Sequence, residues 1–194
     1  MANEATNKVR FGLSDVAIAP LTGAGTYGDI TKIPGAVSLS TSPEGGTEKF
    51  FADNGAYYTC VTNAGYTGDL EMALIPDSVK VAIFGWEIDK NGALVEIADA
   101  VPKPFALLFK VKGDAKDRLN VFYNVTAERP SDENKTTEDS ASPTTEKLAV
   151  TMIPEEIGGK KVTKLSIEKS AANATAYSGF YDSVLTPSFT EVSS

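Results

Sequence analysis

The chain has 194 residues, of which 42% are hydrophobic and 23% are charged, and this composition is typical of a soluble globular protein with its own core. Its formal net charge of −8 argues against tight binding to phosphate backbones. Cys60 is the single cysteine, which excludes an intramolecular disulfide, and the lack of histidine removes the commonest general base and metal ligand.

The first part of the chain is predicted to contain strands joined by polar loops. We expect a flexible arm at residues 1–8, and alternating apolar residues predict a strand over 9–19. Residues 21–34 are rich in glycine and threonine, which indicates a loop. A strand around Val37 should then end in a turn at 42–46.

A hairpin follows this turn. Residues 47–52 and 56–62 are predicted strands, and the Asn-Gly pair between them is a strong hairpin signal. A loop is expected at 65–68 because it begins and ends with glycine, and alternation predicts a strand over 70–74.

A short helix is the clearest helical element. Pro76 and Asp77 supply a start signal, apolar residues follow at i, i+3 and i+4 spacing, and Gly85 supplies the stop. Residues 86–88 and 93–97 flank a second Asn-Gly pair, which predicts another hairpin.

The most regular alternation in the chain spans residues 104–127. Two alternating runs flank a polar turn at 113–117, and they predict a β-hairpin with one buried face and one mostly exposed face. The residues expected on the buried face are Phe105, Leu107, Phe109, Val111, Leu119, Val121, Tyr123, Val125 and Ala127.

The last third of the chain continues this pattern. Residues 130–145 are almost wholly polar and should form a long exposed loop. Strands are predicted over 148–152 and 163–167, residues 171–183 could be a short helix or irregular, and the tail 189–194 should be loose. The whole chain, 1–194, therefore predicts a single mostly β domain: an antiparallel β-sandwich or barrel with one or two short helices.

Three short motifs admit a chemical interpretation, and a structural one is favoured for each. Residues 23–28 match G-x-G-x-x-G, but Pro34 comes too soon for the helix that a dinucleotide site requires. Residues 89–92 resemble a calcium loop but lack the downstream ligands, so a hairpin turn is predicted. Glu155 and Glu156 precede two glycines and two lysines, which indicates a solvated turn and not an acid–base pair.

Two side-chain groups remain as candidate binding features. The acidic residues of the polar loop could gather a cation, although a solvated loop is the simpler interpretation; they are Asp132, Glu133, Glu138 and Asp139. Aromatic residues could form a sugar-stacking platform, although paired aromatics in strands more often serve the core and its rim; they are Phe50, Phe51, Tyr57, Tyr58 and Trp86. We predict no catalytic, cofactor or metal site and therefore not an enzyme.

Several short segments between residues 11 and 150 resemble the major tail proteins of long-tailed phages, in particular the phi13-type family. The segments are Phe11-Gly12-Leu13, Ser42-Pro43-Glu44-Gly45, Asp53-Asn54-Gly55-Ala56-Tyr57-Tyr58, Gly65-Tyr66-Thr67-Gly68-Asp69-Leu70-Glu71, Leu74-Ile75-Pro76, Lys103-Pro104-Phe105-Ala106-Leu107-Leu108-Phe109, Tyr123-Asn124-Val125-Thr126-Ala127-Glu128-Arg129-Pro130 and Lys135-Thr136-Thr137-Glu138. The order and number of these segments carry the resemblance, which is weaker over the last 40 residues.

The resemblance implies a tail-tube protein. Such proteins assemble into hexameric rings that stack into a hollow tube, through which DNA passes into the host without base-specific contact. It also implies a location in the virion tail after assembly in the host cytoplasm, with tape measure, tail terminator and initiator proteins as partners, and no membrane insertion, cofactor or catalytic residue.

In such a tube, the exposed face of the 104–127 hairpin could line the lumen. We expect Arg118, Asn120, Asn124 and Thr126 on that face, and an acidic lumen would repel DNA phosphates. Unpaired sheet edges would join neighbouring copies, and the 130–145 loop could reach another subunit. The alternative function is a carbohydrate-binding or adhesin-like β-sandwich on a virion or cell surface.

Overall fold

A computed structural model describes residues 12–52, 55–112, 117–131 and 144–189; at 48–52, 56–57 and 59–61 it describes the backbone alone. The described chain is mostly antiparallel β structure with two short helices, which confirms the predicted fold class. The strands are β1 (Leu13–Gly23), β2 (Thr26–Tyr27), β3 (Thr31–Lys32), β4 (Ala36–Glu44), β5 (Thr47–Ala52), β6 (Gly55–Val61), β7 (Gly65–Met72), β8 (Glu87–Ile88), β9 (Leu94–Val95), β10 (Phe105–Val111), β11 (Leu119–Ala127), β12 (Glu146–Ile153), β13 (Glu155–Ile157), β14 (Lys160–Val162) and β15 (Lys164–Ile167). The helices are α1 (Asp77–Phe84) and α2 (Ala174–Ser178), and a 3₁₀ turn spans Ala171–Asn173.

One large antiparallel sheet organises the chain, with strand order β2-β1-β10-β11-β12-β7-β4. Strand β3 also pairs with β1. The outer edge of β11 is shared, because β15 pairs with its first half and β12 with its second half. Strands β5 and β6, β8 and β9, and β13 and β14 form three separate hairpins.

The central strands of this sheet are buried on both faces, and a separate hydrophobic core covers each face. On one face, α1 inserts Val79, Ile83 and Phe84 into a core that runs from β1 to β12. On the other face, β13–β15 and the segment after α2 cover β1, β10 and β11, with Phe180 fully buried. We call β13–β15 together with the segment after α2 the C-terminal layer. The Tyr123 hydroxyl donates a hydrogen bond of 2.7 Å to the Leu185 carbonyl and so ties this layer to the sheet.

The prediction that one face of the β10–β11 hairpin is mostly exposed is wrong. Ala106 and Leu108, expected on that face, have no exposed surface, because the C-terminal layer covers them. A β-bulge in β11 also breaks the alternation, since Leu107 pairs with Phe122 and Phe105 with Val125. The extra residue moves Val125 to the α1 face together with Phe122, away from Tyr123.

Strand β7 begins earlier than predicted. Residues 65–68, expected to form a loop, are its first half. A Cβ atom at Gly68 would collide with the Ser40 carbonyl oxygen, and one at Gly65 with that of Met152. These glycines therefore permit close strand pairing and do not mark a turn.

Three further assignments differ from prediction, and in each the chain forms more strand than expected. The 42–46 turn begins only after Glu44, because β4 continues to pair with β7. The 21–34 loop contains β2 and β3, and the acidic segment after Ile153 is strand β13. Residues 171–183, for which a short helix was one of the two predicted alternatives, contain the 3₁₀ turn and α2.

The local signals were correct elsewhere. Helix α1 ends at Gly85, which has a left-handed φ of 70°. The predicted hairpins at 47–62 and 86–97 are β5–β6 and β8–β9. Several predicted elements lie outside the described residues: the arm at 1–8, the turn residues 53–54 and 113–116, the loop residues 132–143 and the tail residues 190–194.

Candidate assembly surface

Strand β4 is an edge of the large sheet, because β7 is its one strand partner among the described residues. The Glu44 carbonyl accepts a hydrogen bond of 2.9 Å from the Ala64 N–H, on the side of β7. Backbone groups alternate in direction along a strand, so Thr41 and Leu39 direct their N–H and C=O groups to the open side. Pro43, which has no N–H, occupies the same outward register, as expected at an edge.

The edge continues into a β-ribbon that extends beyond the sheet. Strands β4 and β7 are joined to the β5–β6 hairpin by the Thr62 N–H, which donates a hydrogen bond of 2.8 Å to the Gly46 carbonyl. The Gly46 N–H also donates to the Thr62 hydroxyl, at 2.9 Å. Residues 36–52 and 55–72 thus form one long antiparallel ribbon in which Tyr58 is 62% exposed.

The outer half of the sheet, β4–β7–β12, has one buried and one polar face. Leu39, Leu70, Met72 and Leu148 pack into the α1 core. The opposite side chains form what we call the polar sheet face, consisting of Ser38, Ser40, Ser42, Glu44, Thr67, Asp69, Glu71, Lys147, Ala149, Thr151 and, at the end of β12, the apolar Ile153. The amphipathic sheet expected at β10–β11 is therefore found here.

Hydrogen bonds between strands fix the side chains of the polar sheet face. The Ser38 hydroxyl donates to Glu71 at 3.0 Å, and the Thr67 hydroxyl donates to Glu44 at 2.9 Å. The Lys147 ammonium lies 3.4 Å from the Asp69 carboxylate. The face is thus a ladder of short hydroxyl and carboxylate side chains whose positions are set by their neighbours.

The polar sheet face is acidic. Three carboxylates, on Glu44, Asp69 and Glu71, face the single ammonium group of Lys147. Hydrogen bonds, first from the Thr145 hydroxyl and then from Ser38, lower the pKa of Glu71 below its ordinary value, so this carboxylate stays ionised at neutral pH.

The four residues expected to line a lumen do not share an open face. Arg118 pairs with Glu168 at 3.1 Å, and Asn120 is 7% exposed. The Asn124 amide donates to Glu155 at 2.7 Å, whereas Thr126 is half-buried and pairs with Thr151 at the margin of the polar sheet face. The expectation fails for the other three residues because the layer of β13–β15 covers that part of β11, which sequence alternation alone does not reveal.

The motifs with possible chemistry take the structural roles that were favoured, with one exception. Residues 23–28 form the turn between β1 and β2, with no helix after it. In the β8–β9 turn the Asp89 carboxylate accepts from the N–H groups of Asn91 and Ala93, both at 2.8 Å. Glu155 is the exception, since it is 9% exposed and not solvated.

Glu155 joins β13 to the β1–β2 turn and to β11. Its carboxylate accepts from the Gly25 N–H at 3.0 Å and from the Asn124 amide at 2.7 Å. The nearby Tyr27 hydroxyl is buried without a hydrogen-bond partner, and burial, followed by the Glu155 charge, strongly raises its pKa. This arrangement fixes the β1–β2 turn against the bulge in β11.

The sugar platform gains no support from Trp86, whose ring centroid lies 5.4 Å from that of Phe84 and which is half-buried at the α1 core. The side chains of Phe50, Phe51 and Tyr57 lie outside the described ones, as do the acidic residues of the polar loop. Among the residues that the structure describes, no cluster of three or more acidic or sulfur ligands could hold a metal.

Comparison with known proteins adds no relative to these observations: no protein-family model matches the chain, and no curated protein is similar to it. Over the described ranges, no helix has the length and apolar character needed to cross a membrane.

Proposed function

We propose that this chain is the structural subunit of a phage tail tube, which assembles into stacked hexameric rings around a channel for DNA. The observation that carries the proposal is the nine-residue edge strand β4, which has an open side and an acidic, hydroxyl-rich face beside it. The resemblance of residues 11–150 to the major tail proteins of long-tailed phages supports the same assignment.

An open edge strand provides a simple route to assembly. Its outward N–H and C=O groups can pair with an edge of a neighbouring copy and continue the antiparallel sheet from one subunit to the next. Such head-to-tail pairing closes into a ring when each step rotates by a fixed angle. The buried face of β4–β7–β12 is already packed against α1, so the polar sheet face is the one left to form a channel wall.

The chemistry of the polar sheet face suits the passage of DNA. Carboxylates repel phosphates, and the face offers a single ammonium group to attract them. The DNA would therefore slide along the wall and not bind to it. In this function the protein works in the virion tail, and its partners are other copies, a tape measure protein inside the tube, and terminator and initiator proteins at the ends.

Blocking the open side of β4 tests the proposal. Thr41→Pro removes one outward N–H without disturbing a hydrogen bond to β7, just as Pro43 does two residues later. Thr41→Val is the matched control because it keeps the N–H. We expect wild type and Thr41→Val to form rings or tubes in negative-stain electron microscopy and Thr41→Pro to stay dispersed. Normal tubes from Thr41→Pro would refute assembly through β4.

A further inference from the structure

A cavity of about 460 Å³ lies at the end of the sheet where β10 finishes and β11 begins. Three lysines surround it, Lys32 from β3, Lys110 from β10 and Lys169 after β15. Leu119 and the rings of Tyr177 and Tyr181 provide its apolar walls. We call this space the lysine cavity.

The lining of the lysine cavity carries three lysines against two carboxylates, those of Asp15 and Asp117. Lys110 lies 2.6 Å from the Asp117 carboxylate, and this pair is mutually neutralised. The Lys169 charge also helps to lower the pKa of Asp117, and the Lys32 ammonium lies 5.5 Å from the centroid of the Tyr181 ring. The one other acidic group on the lining is Asp15, so the lysine cavity has a surplus of positive charge in an acidic protein.

The walls of the lysine cavity are held in an uncommon backbone conformation. Asp15 and Asp117, with φ of 52° and 48°, are the two non-glycine residues of positive φ in the described chain, and both line the cavity. The Tyr181 hydroxyl donates to the Asp15 carbonyl at 2.8 Å, and the Tyr177 hydroxyl donates to the Asp117 carbonyl at 2.6 Å. The two tyrosines thus stabilise conformations that cost energy elsewhere and are concentrated at functional sites.

The polar segment 132–143 has the charge that this cavity needs. It carries four carboxylates against one lysine, whereas residues 1–11 carry one carboxylate against two basic side chains, and residues 190–194 carry a single glutamate. Residues 53–54 carry one aspartate, and residues 113–116 carry one aspartate and one lysine. Charge complementarity therefore selects 132–143 among the five segments outside the described residues.

Distance favours a segment from a second copy. The cavity lies at the start of β11, whereas Ser131, which bridges to Lys147, lies beyond its end. Eight steps along β11 span about 26 Å at roughly 3.3 Å per residue. A 12-residue segment that must leave and return reaches about 20 Å, or six residues at up to about 3.5 Å each. The segment of a second copy is not subject to this limit.

We propose that the lysine cavity binds residues 132–143 of a second copy of this chain. The contact rests on the proposed tube, because copies related by end-to-end stacking place the start of one β11 near the end of another. Lys32 and Lys169 pair with carboxylates of the segment, and the tyrosine rings and Leu119 contact its aliphatic parts. Such a heterologous contact does not close on itself, so it propagates along a stack.

A synthetic peptide of residues 130–145 tests the contact on dispersed protein, and Thr41→Pro supplies such protein if wild type polymerises. Binding is measured by chemical shifts of the Lys32 and Lys169 regions up to millimolar peptide. We expect saturable binding that weakens by at least about fivefold in Lys32→Gln/Lys169→Gln, as for two exposed ion pairs. Lys90→Gln/Lys103→Gln, which alters the same charge away from the cavity, is the control and should bind normally.

Charge exchange gives the second arm. Lys32→Glu/Lys169→Glu should abolish peptide binding, and a peptide with Asp132→Lys and Glu133→Lys should restore it. No binding by wild type, equal loss in the control variant, or failure of the exchanged pair would overturn the proposal. If the peptide binds but neither wild type nor any variant forms tubes, the contact stands and the tube is rejected. If tubes form but the peptide does not bind, the tube stands and the contact is rejected.

Discussion

Removing the Phe180 side chain should show how much the C-terminal layer contributes to the stability of the sheet. Phe180 has no exposed surface and lies in the core formed with β1, β10 and β11; its ring centroid is 5.2 Å from that of Tyr181. A buried Phe→Ala substitution destabilises by about 3–5 kcal/mol through lost transfer energy and the cavity left behind. At roughly 2–4 °C per kcal/mol for a chain of this size, the midpoint of thermal unfolding should fall by about 6–20 °C.

Urea unfolding followed by circular dichroism measures this change directly. Phe189→Ala is the control, because Phe189 is 39% exposed and its main close partner is the Lys160 ammonium, 4.3 Å from the ring centroid. The control should change the free energy of unfolding by less than about 1 kcal/mol. A loss below about 1 kcal/mol in Phe180→Ala would refute the conclusion that residues after α2 form part of the core.

Three further predictions concern polar contacts and one glycine. Glu155→Ala should lower the free energy of unfolding by about 2 kcal/mol or more, because it leaves the Asn124 amide without its buried acceptor, and urea unfolding should show a smaller loss in Glu155→Gln. Gly68→Ala should weaken the pairing of β4 with β7, because its Cβ collides with the Ser40 carbonyl, and faster amide exchange along β4 would show this. The pKa of Asp117 lies below its ordinary value, mainly because its carboxylate accepts a hydrogen bond from Lys110. The stability that this carboxylate contributes is therefore complete above the unfolded-state pKa of about 3.9, and it is lost as the pH falls through the folded-state pKa. Asp117→Asn should therefore reduce the loss of stability as the pH falls below about 4, and an unchanged pH profile would contradict the assignment.

Elements with local signals could be predicted from sequence. Helix α1 has its start at Asp77 and its stop at Gly85, and the β8–β9 turn is closed by the Asp89 side chain a few residues away. Each of these signals acts within one turn or hairpin, so the printed sequence contains it in full.

Features that depend on distant partners could not be predicted in this way. Gly68 occupies a strand because β4 approaches it closely. Glu155 can be buried because the Gly25 N–H and the Asn124 amide, both far along the chain, donate hydrogen bonds to its carboxylate. The bulge in β11 has no sequence signal that we can identify.

The burial of both faces of β10 could have been predicted. Ala106 and Leu108 are apolar although they lie on the face that was expected to be exposed to solvent. A nearly continuous apolar run is typical of a strand covered on both sides. The same reasoning would have directed the search for a polar face to β4–β7–β12, where hydroxyls and carboxylates do alternate with leucine and methionine.

Cryo-electron microscopy of the concentrated wild-type protein tests the central claim most directly. The account predicts a hollow tube of stacked rings in which β4 pairs with a neighbouring copy and Ser40, Asp69 and Glu71 face the channel. A protein that stays monomeric at every concentration, or a tube whose channel is lined by α1 or by the C-terminal layer, would contradict it.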